Sequence, residues 1–93
     1  DTTGATLKQY AKIELLIAQN KKIEATAELE KFSATLTTEP IKDDALWLEA
    51  NLRLQQGEFD RTLAICQKIV TEFPEDVLAD DAYFLEGEIY DRY

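Results

Sequence analysis

Asp43 to Pro74, DDALWLEANLRLQQGEFDRTLAICQKIVTEFP, decides the fold. Apolar residues recur every three or four positions on both sides of Gly57, and Pro74 closes the run, so the stretch predicts two antiparallel helices joined by a glycine turn. Such a pair cannot bury both of its apolar faces alone, and the rest of the chain repeats it. DDALWLEA at Asp43–Ala50 returns as DDAYFLEG at Asp80–Gly87, an offset of 37 residues. The same offset places Asn20 on Gly57, Ala25 on Thr62, Leu29 on Cys66, Phe32 on Ile69 and Leu36 on Phe73, and it carries Tyr10 to Trp47 and then to Phe84. Asn20 and Gly57 form the most physical of these matches, because asparagine and glycine best tolerate the left-handed backbone that ends a helix.

Working outward, the chain predicts five helices. The first, about 5–19, carries Tyr10, Ile13 and Ile17 on one stripe and Ala11 with Leu15 on another, and Thr2 or Thr3 offers a side-chain cap. The second, about 22–36, has a single apolar face of Ala25, Leu29, Phe32 and Leu36, with Thr37, Thr38, Glu39 and Pro40 expected to break it. The third, about 42–56, is two-sided: Leu46, Trp47, Ala50 and Leu54 face one way, and Ala45, Leu48 and Leu52 the other. Two polar strips separate these stripes, Glu49 with Arg53, and Asp44 with Asn51 and Gln55. A helix with two apolar stripes has two packing partners, as in a stack of helix pairs. The fourth, about 58–73, returns to one face, and the fifth, about 78–92, is again two-sided, with Tyr83 and Phe84 opposite Ala82, Leu85 and Ile89.

The net charge is −9, and its placement is more telling than its size. Residues 1–42 hold six acids and six bases, whereas 43–93 hold thirteen acids and four bases. A nucleic acid would be repelled by that half, while a basic peptide or protein face would be complementary. The same excess also serves simply to keep helical surfaces soluble. No apolar run approaches the roughly 18 residues of a membrane span, so no direct membrane insertion is expected. The chain starts without methionine and stops inside a helical pattern, which reads as a piece of a longer array.

Chemistry-bearing constellations are few. Glu72, Glu75, Asp76, Asp80 and Asp81 cluster, but without the alternating spacing and central glycine of a calcium loop. Asp80 or Asp81 is expected to cap the fifth helix, and Asp43 the third. Cys66 lies on an inward face, and the chain has no histidine to activate a thiol. With neither a phosphate-binding glycine loop nor a cofactor motif, no enzyme, cofactor or metal is expected.

Leu46, Ala50, Gly57, Phe59, Thr62, Ile69 and Pro74 stand at the spacing of the tetratricopeptide repeat, and the chain resembles that family. In the first copy Ile13 takes the small site, Asn20 the glycine, Lys22 the aromatic site and Thr37 the proline, and in the second Arg53 stands where an aromatic is usual. The period is three residues longer than the usual ~34. FPEDVLADDAYFLEGEIY, Phe73–Tyr90, resembles the linker and first helix of a bacterial envelope branch that includes the periplasmic Tol-associated coordinator of cell division and the helical lipoprotein of the β-barrel assembly machinery. The resemblance implies an all-α, right-handed solenoid of antiparallel helix pairs. One domain would span 1–93, with repeats at about 5–40 and 41–77 and the first helix of a third at 78–93. It favours the periplasm or cell envelope, with the cytoplasm as the alternative.

It also implies a protein-interaction scaffold whose concave face is lined by the first helix of each pair. That face would carry Tyr10, Glu14 and Ala18, then Asp44, Trp47, Asn51, Leu54 and Gln55, then Phe84, Glu88 and Arg92. Its aromatic row with flanking carboxylates would suit a partner alternating apolar and basic residues. The same rings at helical spacing would equally fill the joints between repeats, the ordinary place of an aromatic stripe. The alternative to a binding scaffold is a self-assembly module. The fifth helix lacks a following mate, so a stripe with Ile89, Tyr90 and Tyr93 is expected to be exposed or covered by a second copy in a homodimer.

Overall fold

The computed structural model describes residues 4–35 and 39–92. It contains five helices, α1 Gly4–Ala18, α2 Lys22–Thr35, α3 Glu39–Gln55, α4 Phe59–Glu72 and α5 Val77–Arg92, and no strand among the described residues. The proposed caps Thr2 and Thr3, the breakers Thr37 and Thr38, the apolar Leu36, and Tyr93 lie outside the described residues.

The 37-residue offset reappears in the backbone hydrogen bonds. At the end of α1, Lys21 N–H donates to Leu16 O and Asn20 N–H to Ile17 O, each at 2.9 Å, with Asn20 at φ 62°. At the end of α3, Glu58 N–H donates to Arg53 O at 2.9 Å and Gly57 N–H to Leu54 O at 3.0 Å, with Gly57 at φ 77°. Both are the paired closure in which a left-handed residue lets the chain reverse while satisfying the last carbonyls. The following helices also open alike, through Ala25 N–H to Lys21 O and Thr62 N–H to Glu58 O.

Three local expectations need correction. Helix α3 starts at Glu39 rather than near Lys42, so Pro40 sits in its first turn, where a missing N–H costs nothing. Asp43 therefore lies inside the helix and accepts from the N–H of Asp44 at 2.8 Å instead of capping the start. The cap of α5 is Asp76, whose Oδ1 accepts from Leu78 N–H at 2.9 Å, and not Asp80 or Asp81; Asp80 sits in the first turn that follows. The reason is the link after α4. Phe73, at φ −130° and ψ 57°, leaves the helical conformation before Pro74, and the link turns through Asp76 N–H to Phe73 O at 3.0 Å and delivers Asp76 to the helix start.

The chain forms two compact units, 1–45 and 46–93, which divide within α3. In the first, α1 packs on α2, with Ile13, Ala25, Leu29 and Phe32 buried. Tyr10 lies against Phe32, ring centres 5.8 Å apart at 36°. The other stripe of α1 stays open: Ala11 is exposed and Leu15 is 57% exposed. In the second unit, Leu46 and Ala50 of α3, Ile65, Cys66 and Ile69 of α4 with Phe73 just beyond it, and Ala82, Leu85 and Ile89 of α5 make one core. Ile89, expected to be exposed or covered by a second copy, is buried there because α4 serves as the mate of α5. On the opposite stripe of α3, Ala45 and Leu52 are buried too.

Candidate functional site

In the second unit the exposed flank of α3 and the outer flank of α5 face each other across an open groove. Trp47, Asn51 and Leu54 follow one another at four and three residues along α3, and Asp81, Phe84, Leu85 and Glu88 keep helical spacing along α5. Between them is a space of about 270 Å³. It continues past Leu54, Leu85 and Glu88 into a smaller recess of about 130 Å³ closed by Phe59, Ile89 and Arg92.

The floor is apolar and the rims are charged. Trp47 and Leu54 are half-buried and pack against the core, so they serve both as structure and as groove wall. Phe84 is 70% exposed, too open for a ring that fills a joint within this unit. Asn51 donates its Nδ2 to Trp47 O at 2.8 Å, which holds the amide along the α3 rim. No ion-pair partner within 4.0 Å is found for Asp81 or Glu88 among the described residues.

The expected face is thus brought together in part. Trp47, Asn51, Leu54, Phe84 and Glu88 share the groove, and Arg92 lies at its far end. Gln55 is exposed on α3 and lines neither recess. Tyr10, Glu14, Ala18 and Asp44 belong to the other unit. There the phenol of Tyr10 is pushed above its ordinary pKa by burial, and further by the nearby carboxylates of Glu14 and Asp44. Asp81 was missed as a site residue because its place beside a helix start suggests a cap; its spacing of three from Phe84 was the available signal.

Comparison with family models, with curated proteins and with solved structures finds no match.

The Glu49–Arg53 strip of α3, polar in sequence, does not lie at the surface. Arg53 and Glu49 are 5% and 6% exposed instead. The Arg53 Nε donates to Glu49 Oε2 at 2.9 Å and its Nη1 to Glu58 Oε1 at 2.9 Å. One guanidinium thereby ties the last turns of α3 to the residue that opens α4. Thr62 adds a buried hydroxyl that donates to Glu58 O at 2.9 Å, so the turn carrying Gly57 is held from both sides. Among the described residues no three acidic, cysteine or histidine side chains form a metal-binding group, and no helix is long and apolar enough to cross a membrane.

Proposed function

We propose that this chain is a non-catalytic interaction scaffold of tetratricopeptide type, a right-handed stack of two and a half helix pairs that holds a partner polypeptide in the α3–α5 groove. The observation that carries the reading is Phe84, a large ring left 70% exposed at the wall of a groove whose opposite wall is Trp47. Aromatic side chains at such positions are the usual anchors of protein interfaces. The identical turn closures at Asn20 and Gly57 support a repeated helix-pair plan. The groove's polar groups lie on open rims, the arrangement of a recognition surface rather than of a water-excluding reaction site.

A photo-crosslinker placed at 84, compared with one at the exposed Lys68 of α4, tests this in cells of the source organism. The scaffold reading expects a partner captured from 84 and not from 68, and lost when Trp47 is changed to Ala in a variant that still melts cooperatively. Equal yields from the two positions would overturn it.

A second reading, self-assembly without a peptide groove, is favoured by Tyr83 and Tyr90, which are 60% and 73% exposed on α5. It expects a concentration-dependent mass in light scattering that Tyr83→Glu with Tyr90→Glu abolishes and Phe84→Glu leaves intact.

A further inference from the structure

We infer that the occupant of the α3–α5 groove is a basic amphipathic helix, with Lys or Arg at two positions seven residues apart and bulky apolar residues three and four positions after the first. The inference rests on the scaffold reading and adds the chemistry of the partner.

The spacing comes from α5 itself. Asp81 and Glu88 stand seven residues apart on one face, about 10.5 Å along the axis at 1.5 Å per residue, with Phe84 and Leu85 between them. An extended strand puts same-face residues ~6.8 or ~13.6 Å apart, out of step with the two acids by ~3–4 Å, whereas a helix repeats the seven-residue interval. Trp47 and Leu54 on α3 are also seven residues apart, so both walls carry the same period. A helix laid along such walls sends side chains, not backbone, into spaces of about 270 and 130 Å³.

Charge selects among helices. Residues 46–93 hold eleven acids and four bases, and α5 alone carries Asp80, Asp81, Glu86, Glu88 and Asp91 against Arg92. A second copy of α5 would bring like charges together, and an anionic surface or nucleic acid would meet the same repulsion. A cationic helix is attracted, and its ammonium or guanidinium groups find Asp81 and Glu88 without an ion pair to break.

The test uses fluorescein-labelled 16-residue helical peptides and anisotropy, with the fluorescence of Trp47, the chain's single tryptophan, as an independent reporter. One peptide has Lys at positions i and i+7 and Leu at i+3 and i+4; a second has Glu at the two Lys positions; a third keeps the composition in scrambled order. The Lys peptide is expected to bind at least tenfold tighter than the other two, to weaken with salt, and to lose at least tenfold with Asp81→Lys plus Glu88→Lys, a variant that should instead take the Glu peptide. Equal binding of the Lys and scrambled peptides, or no effect of the charge reversal, would overturn the inference. If no peptide binds while crosslinking from 84 still captures a partner that Trp47→Ala loses, the scaffold reading stands and the basic helix falls. If Phe84→Glu abolishes self-association of the chain, the occupant is a second copy and the inference is likewise overturned.

Discussion

Replacing Arg53 with Ala removes a guanidinium whose side chain is 6% exposed and which satisfies two carboxylates at 2.9 Å, Glu49 at 8% and Glu58 at 39% side-chain exposure. The two losses differ in kind. Glu58 reaches water, so its half of the network is worth less than ~1 kcal/mol, as exposed pairs are. Glu49 does not, and a buried carboxylate stripped of its counter-ion costs about 3–5 kcal/mol. Against a typical domain stability of ~5–15 kcal/mol, Arg53→Ala should remove a large fraction, and the melting temperature should fall by at least ~12 °C for a chain of this size. Most of that is the cost of stranding Glu49 rather than the net worth of the pair. Glu49→Leu with Arg53→Met, which removes both charges and keeps the volume, should therefore lie near the wild type or above it by ~1–4 kcal/mol. Urea unfolding followed by helical circular dichroism and by Trp47 fluorescence measures both variants, compared at a common m value. An Arg53→Ala cost below ~1 kcal/mol, or a double variant as unstable as the single one, would refute the reasoning.

Gly57→Ala should destabilise by about 1–2 kcal/mol through its φ of 77° alone, since a Cβ there meets nothing within 4 Å, and Gly57→Asn should cost less, both read by thermal melts. Asp76→Ala should cost ~1 kcal/mol by uncapping α5, with faster amide exchange at Leu78 as the local signature. Burial, with Glu86 nearby as the lesser cause, raises the Cys66 thiol from 9.0 to about 11. The folded state therefore keeps a proton that the unfolded state releases: the contribution is whole below about pH 9 and is lost as pH rises to about 11, up to ~3 kcal/mol. Urea melts across that range should show a steeper decline for the wild type than for Cys66→Ala. Phe84→Glu should leave stability within ~0.5 kcal/mol, as exposed substitutions do, while Trp47→Ala, which opens the edge of the core, should cost more in the same melts.

The helix plan and the turns were legible before any coordinates. Asn20 and Gly57 mark the reversals because few side chains tolerate positive φ, and that is a property of the residue itself. The two apolar stripes of α3 were legible for a similar reason, since helical periodicity is local, whereas on α5 only the side with Ala82, Leu85 and Ile89 is buried and Tyr83 and Phe84 stay exposed. The groove was legible in half: Trp47, Asn51, Phe84 and Glu88 were among the residues that the family resemblance implied, whereas Asp81 looked like a cap because its role depends on where α5 begins. That start depends in turn on how Phe73, Pro74 and Asp76 fold back.

Sequence alone thus determined the all-helical class, the period of 37, the left-handed turn positions and the acidic half, all consequences of residue type and spacing along one chain. Tertiary structure decided the burial of Glu49 and Arg53, the exposure of Phe84 and the pairing of α5 with α4. Burial is a relation between segments: the strip holding Glu49 and Arg53 reads like the one holding Asn51 and Gln55, yet in the fold Glu49 and Arg53 are buried in an ion network with Glu58, while Asn51 lines the groove and Gln55 stays exposed.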